Sequence, residues 1–147
     1  MYVEPDEQRP GRQVFSAETS RQMRAMLRLV VTEGTGSKAD AEGYRVGGKT
    51  GTAEKPRAGG YARKSLVTNF AGVFPMDDPR YVVVAMLDEP QGIPETYGFA
   101  GAGWTAAPVV GEVISRIGPI LDVAPDAERD VDLSPLLAHV QDKDAGG

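Results

Sequence analysis

Lys49-Thr50-Gly51-Thr52, inside the run Gly47-Gly48-Lys49-Thr50-Gly51-Thr52-Ala53-Glu54-Lys55-Pro56, places an ammonium group, two hydroxyls and unhindered backbone within four residues. A cation, O–H donors and accessible N–H groups so close together make a compact arrangement for holding an anion. Lys49, Thr50, Gly51 and Thr52 are therefore the candidate site residues. No second catalytic motif accompanies them, so the chain is expected to carry only part of a reaction site.

Two geometries could present these residues. Gly43-Tyr44-Arg45-Val46-Gly47-Gly48-Lys49-Thr50 satisfies the G-x-x-x-x-G-K-[ST] pattern of a nucleotide-binding phosphate loop, and Val82 to Leu87 followed by Asp88-Glu89 imitates the strand that would hold Mg²⁺ beside it. Such a loop needs a buried strand before it and a helix opening at the lysine. Polar residues 37–42 precede the motif, and Gly51, Pro56, Gly59 and Gly60 break any helix after it. The alternative makes Tyr44 to Thr52 a strand. Side-chain alternation then sends Lys49 and Thr50 to opposite faces. They can serve one ligand only if it lies along the strand edge, and Gly47, Gly48 and Gly51 would let its backbone come close.

Composition narrows the classes. The chain has 147 residues, 41% of them apolar, enough for one domain with a core. A formal net charge of -5 argues against general binding to nucleic acid or anionic membrane. The absence of cysteine excludes disulfides, a thiol nucleophile and thiolate metal sites. Met1 to Glu7 lacks the basic start and apolar run of a signal peptide, and the longest apolar run, Val82 to Leu87, is far below the roughly 20 residues that span a bilayer. The sequence as it stands reads as soluble.

The elements that must position the motif follow from periodicity. Residues 1–15, with Pro5, Pro10 and Gly11, read as loop or extended edge. Met23, Met26, Leu27, Val30 and Val31 recur at helical spacing and predict a helix over 17–33, with Ser16 and Thr19 as a partial cap and Gly34 as its stop. Val67 to Phe74 and Tyr81 to Leu87 predict two strands joined by a turn at 75–80. Residues 90–105 read as loop. Ala106 to Ile117 predicts a second helix, with Pro108 in its first turn and Gly118-Pro119 ending it. From Pro125 the chain turns acidic and reads as a mobile tail, so the division is 1–124 for the folded part and 125–147 for the tail. The fold class is α/β of the α+β type: an antiparallel sheet with packed helices.

The blocks around the motif have a family likeness. Lys49-Thr50-Gly51 resembles the K-T-G motif of penicillin-binding proteins and serine β-lactamases. Ser16-Ala17-Glu18-Thr19, Val31-Thr32-Glu33-Gly34-Thr35-Gly36, Gly43-Tyr44-Arg45-Val46, Phe70-Ala71-Gly72-Val73-Phe74-Pro75, Asp78-Pro79-Arg80-Tyr81, Leu87-Asp88-Glu89-Pro90 and Gly103-Trp104-Thr105-Ala106-Ala107-Pro108-Val109 resemble, in order, the C-terminal half of the transpeptidase domain of class B penicillin-binding proteins. The likeness covers about residues 14–121 and is strongest to the division-specific, septal branch.

That resemblance implies roles. Lys49 would sit near the nucleophilic serine and set the electrostatics of proton transfer. Thr50 and Thr52 would bind the terminal carboxylate of a D-alanyl-D-alanine stem peptide or of a β-lactam, the Thr52 N–H would form half of an oxyanion hole, and Gly51 would let the acyl group lie against the strand. No metal or organic cofactor is implied, nor is nucleic acid. The parent would be inner-membrane anchored, with a periplasmic catalytic domain and a place in a division complex. Ser16, Ser20, Ser37, Ser65, Ser115 and Ser134 all lack a lysine three residues on, and none begins S-x-N. Nucleophile and S-x-N loop are thus expected upstream, and the chain as a fragment that is inactive alone and able to self-associate. A non-catalytic interaction or folding fragment is the alternative, and the nucleotide hydrolase the third. Trp104 reads as a packing anchor, His139 as an exposed tail residue, Asp88-Glu89 as a surface strand end, and Lys55, Arg57, Arg63 and Lys64 as a solvated basic loop.

Overall fold

The computed structural model describes residues 12–57, 60–134 and 136, with residues 56, 57 and 60–64 described by their backbone alone. The expectations for residues 1–11, for His139, and for the side chains of Arg57, Arg63 and Lys64 lie outside the described residues.

Helix α1 spans Ala17–Thr32, and its start is capped by Ser16, whose hydroxyl accepts from the Thr19 N–H at 3.0 Å. That bond satisfies one of the N–H groups every helix leaves open at its first turn. A 3-10 turn at Ser37–Ala39 leads to three strands, β1 at Gly47–Arg57, β2 at Gly60–Phe74 and β3 at Tyr81–Asp88. Helix α2 occupies Ala106–Ile117, the predicted span.

The strands form one antiparallel sheet in the order β1-β2-β3, so β1 and β3 are its edges. Both strands of the first hairpin run further than sequence indicates. The motif strand begins at Gly47 rather than Tyr44 and continues past Thr52 to Arg57, and β2 starts seven residues before Val67, at Gly60. Pro56 and Gly60, read as loop, sit at the tip of a two-stranded ribbon, where a missing N–H or side chain costs little. A register irregularity between Glu54 and Lys55 absorbs the length mismatch. Lys55 pairs there with Asp88 and Glu89, so this acidic strand end is a cross-strand anchor for the ribbon.

One face of the sheet carries the core. Thr68, Phe70 and Phe74 on β2 are fully buried and lie against Val110 and Ile114 of α2, Val31 of α1 and Val46. On β3 the alternation is regular: residues 81, 83, 85 and 87 turn inward, while Val82, Val84 and Met86 are 68%, 61% and 72% exposed. The cross-strand partners of those three are Val73, Ala71 and Asn69, which continue the same face. This face is an uncovered band of valine and methionine, while Phe70 and Phe74 belong to the covered face.

The acidic segment after Pro125 is tied down where it begins. Asp126 donates its N–H to Gly43 O at 2.9 Å, and Arg28 grips both carboxylate oxygens of Asp130 at 2.8 and 2.9 Å. Composition shows the acids here and not their distant basic partners; the expectation of a mobile tail over residue 135 and residues 137–147 lies outside the described residues.

The uncovered band sets an expectation for the chain in solution. Apolar area left in water forfeits about 25 cal/mol per Å², so the chain should self-associate through β3 and bind an apolar-surface dye. Light scattering should report a dimer or larger species, reduced by Val84→Lys; a dye-silent monomer at micromolar concentration would show that this face needs no cover.

Candidate functional site

The site is built from three pieces of chain: β1, the loop after α1, and the Gly101–Trp104 segment before α2. β1 has no strand beyond it among the described residues, so its outer edge is open. Thr50 and Thr52 point to the core side of the sheet, in line with Phe70 and Thr68 of β2. Beyond the edge of the core they meet the loops rather than apolar side chains. Thr50 Oγ1 lies 3.0 Å from Thr35 Oγ1, and Thr52 Oγ1 accepts the Ala102 N–H at 3.1 Å. An accepted N–H orients the Thr52 hydroxyl and leaves its own hydrogen free to donate.

Lys49 starts from the opposite face, as alternation requires. Its ammonium nevertheless reaches Thr50 O at 2.8 Å and Thr50 Oγ1 at 3.2 Å. An edge strand permits this, since a four-carbon stem can pass round the side that no neighbouring strand occupies. The cation and the two hydroxyls thus share one side despite the strict two-residue period.

Thr35, Ser37, Lys38, Thr50, Thr52 and Gly101–Trp104 enclose an open cavity of about 330 Å³ with no carboxylate in its lining. Trp104, half-buried, forms its wall; Phe99 stacks on the indole at 5.5 Å and Tyr97 meets it edge-on at 5.8 Å. Loop and wall come together because Gly103 has no side chain: a Cβ there would stand 2.4 Å from Thr35 O. Sequence reasoning missed Thr35, Lys38 and the Ala102 N–H beside the motif; Trp104, read as a packing anchor, packs on Phe99 and Tyr97 and also lines this cavity. The small-residue run before α2 was the available signal, since residues without bulk mark close approach of another segment.

The motif glycines also have a use inside the chain. A Cβ at Gly48 would meet Ala71 O at 2.4 Å, one at Gly47 would meet Met76 Cε at 2.3 Å, and one at Gly51 the Asn69 amide at 2.7 Å. At Gly48 the obstacle is backbone and at Gly47 a buried side chain, so packing within the chain excludes bulk there, whereas at Gly51 it is the end of the Asn69 side chain.

A charged network sets where β1 begins. Arg28 of α1, 7% exposed, donates to Val46 O at 2.8 Å and is neutralised by Asp40 and Asp130. Arg45 takes a left-handed backbone conformation (φ 47°), unusual for a side-chain-bearing residue, and its guanidinium binds Asp77 at 2.7 Å and Gly43 O at 2.7 Å. Met76 donates its N–H to Arg45 O. Arg129 Nη2 lies 2.8 Å from Asp77 Oδ2, within ion-pair range but without hydrogen-bond alignment. Burial by itself would raise the Asp77 carboxyl, but the hydrogen bond and charge of Arg45 outweigh it and hold it below the usual carboxylate value. Asp130 is lowered in the same way, Arg28 overcoming desolvation.

This geometry does not make a phosphate loop. Lys49 and Thr50 lie within a strand, and no helix opens at the lysine, so the nucleotide-hydrolase alternative lacks the N–H array it needs. The penicillin binding protein transpeptidase domain matches residues 2–114. The chain belongs to that family. It is 46% identical over 122 residues to the probable peptidoglycan D,D-transpeptidase FtsI of Caulobacter vibrioides, covering 77% of this chain and 21% of that protein. The apo transpeptidase domain of Burkholderia pseudomallei penicillin-binding protein 3 superposes with a TM-score of 0.67 at 40% identity, over 79% of this chain and 34% of that one. Penicillin-binding protein 3 of Mycobacterium tuberculosis, solved with ampicillin, superposes at 0.68 with 33% identity, over 88% of this chain and 30% of that one. The chain spans about a fifth of the length of the curated relative, as the 21% coverage states. Its class B transpeptidase fold is thereby established. No helix among the described residues is long and apolar enough to cross a membrane.

The depressed Asp77 and Asp130 values predict an acid limb of stability. Because their folded values lie below the unfolded one, about 3.9, their contribution is complete above that pH and is lost as pH falls through the folded values. Urea midpoints should hold from pH 7 to 5 and drop below about pH 4, and Asp77→Asn should lower the neutral midpoint while flattening the acid limb. An unaltered acid limb in that variant would show that Asp77 is not coupled to folding.

Proposed function

We propose that this chain supplies the carboxylate-binding strand of a serine D,D-transpeptidase that cross-links peptidoglycan through an acyl-enzyme and is acylated by β-lactams. The observation that carries the reading is the convergence of Lys49 Nζ, Thr50 Oγ1 and Thr52 Oγ1 at the open edge of β1, with Thr52 oriented by the Ala102 N–H. In this reading a D-alanyl-D-alanine terminus lies along β1 as an added strand. Thr50 and Thr52 donate to its carboxylate, Lys49 balances that charge and the proton transfer at the serine, and the Thr52 N–H takes half of the oxyanion. Gly51 keeps the strand free of bulk beside the acyl group. The serine and its activating lysine belong to another part of the same domain, since no S-x-x-K occurs in these 147 residues. Residues 1–124 are the transpeptidase portion and 125–147 an acidic appendage stapled at Asp126 and Asp130. A membrane anchor, a periplasmic catalytic domain and work at the division septum in a larger complex complete the proposal.

The absence of a nucleophile favours a second reading, a non-catalytic interaction or folding fragment, for the chain taken alone. Labelled penicillin separates the two at the level of the whole domain. The 147-residue chain by itself should give no covalent adduct with a fluorescent penicillin by intact mass, and a stoichiometric adduct would mean that a serine within it is the nucleophile. In the complete domain, Thr52→Val keeps size but removes a hydrogen bond to a charged group, worth about 1.5 to 3 kcal/mol. Acylation should slow accordingly, by roughly ten- to a hundredfold; unchanged kinetics would remove Thr52 from the carboxylate site.

A further inference from the structure

One carboxylate of the acidic segment reaches the motif strand through a single side chain. Arg28 divides its guanidinium between two sides: Nε and Nη2 donate to Asp130 Oδ1 and Oδ2 at 2.8 and 2.9 Å, while Nη1 donates to Val46 O and to Asp40 Oδ1, both at 2.8 Å. The group is planar and rigid, so a two-point grip on one edge fixes the direction of the remaining nitrogen. Asp40 has no such leverage. It takes one bond from the nitrogen that already serves Val46 O, which neutralises charge but sets no angle. Asp130 is itself oriented, since its Oδ1 accepts the Val131 N–H at 2.7 Å. Its segment is pinned by the Asp126 N–H on Gly43 O and by Arg129 beside Asp77.

We propose that Asp130 is a positioning residue for the transpeptidase site: through the Arg28 fork it fixes Val46 O, and so the line along which β1 carries Lys49, Thr50 and Thr52 to the substrate. The inference rests on the carboxylate-strand reading above. Val46 directly precedes Gly47, the first residue of β1, and β1 is paired on one side only among the described residues. A strand held along one side can still roll about that line of hydrogen bonds, and a fixed carbonyl at its entry removes the freedom. The hydroxyls of Thr50 and Thr52 tolerate little of it, because hydrogen bonds weaken steeply as their angle departs from linear. The acidic segment after Pro125, which composition assigns no role, then belongs to the support of the site.

The test uses the complete transpeptidase domain and follows its acylation by a fluorescent penicillin, counted per serine that titrates, so that a smaller folded fraction does not register. Asp130→Asn keeps the shape but breaks the fork, and acylation should slow about tenfold, short of the roughly hundredfold that a 1 Å misplacement costs. Asp130→Glu should restore most of the rate. Asp40→Asn is the control: the Asp40 and Asp130 side chains are similarly exposed, 45% and 51%, and both neutralise Arg28, but only Asp130 orients it. That variant should slow acylation by about twofold, the scale of one exposed ion pair. In a Thr52→Val background Asp130→Asn should cost less than it does alone, because a group it positions is gone. Equal losses in Asp130→Asn and Asp40→Asn, or a loss that multiplies in full with Thr52→Val, would overturn the proposal. Unchanged acylation in Asp130→Asn beside slowed acylation in Thr52→Val would overturn it and leave the carboxylate-strand reading standing. Unchanged acylation in both would overturn both.

Discussion

The start of β1, and with it the placement of Lys49, Thr50 and Thr52, rests on two buried guanidinium groups. Arg28 holds Val46 O from the helix side, and Arg45, in its left-handed conformation, turns the chain so that Gly47 opens the strand. Side chains alternate along a strand, so a slip of one residue would exchange Thr50 and Thr52 with Lys49 and Gly51 between the two faces. The hydroxyls would then face the uncovered side, away from Thr35 and Ala102. Buried ion pairs add little net stability over apolar packing, but breaking one strands a charge and is costly. Their contribution here is to register, which is what the site requires.

That anchor also joins distant parts of the chain. Arg28 reaches Asp130, 102 positions away, and Arg45 reaches Asp77 at the β2–β3 turn. Helix α1, the strand, the hairpin turn and the start of the acidic segment therefore share one electrostatic junction beneath the motif. The left-handed strain at Arg45 persists because its guanidinium and carbonyl are both engaged.

What sequence could show, and what it could not, divides along the same lines. Helix α2 was legible to the residue because Pro108 and Gly118-Pro119 bound a clean apolar period, and α1 nearly so. Lys49 to Thr52 stood out as a motif. The length of β1 and β2 was hidden, since Pro56 and Gly60 read as loop formers unless a ribbon tip is already known to be there. That Met76 and Ala71 also lie against Gly47 and Gly48 could not be read from the motif, because those neighbours come from other segments of the chain. Nothing local in Arg28, Asp130 or Trp104 indicates a partner tens of residues away. Pattern reveals elements and motif, whereas contacts between elements are set by packing.

The two edges of the sheet differ in a way that bears on how such a chain can be used. β3 presents Tyr81 to Leu87 without a single charge, the composition that invites pairing with another apolar surface. β1 carries Lys49 and Glu54, charges that discourage a second sheet from adding to it. Ahead of Glu54 lies the short stretch from Gly47 to Thr52, where Thr52 is oriented by the Ala102 N–H. An extended ligand only a few residues long, ending in a carboxylate, fits that interval, while a long strand would run into Glu54 and the ribbon beyond it. The motif strand is thus protected against aggregation by the same features that limit what it can bind.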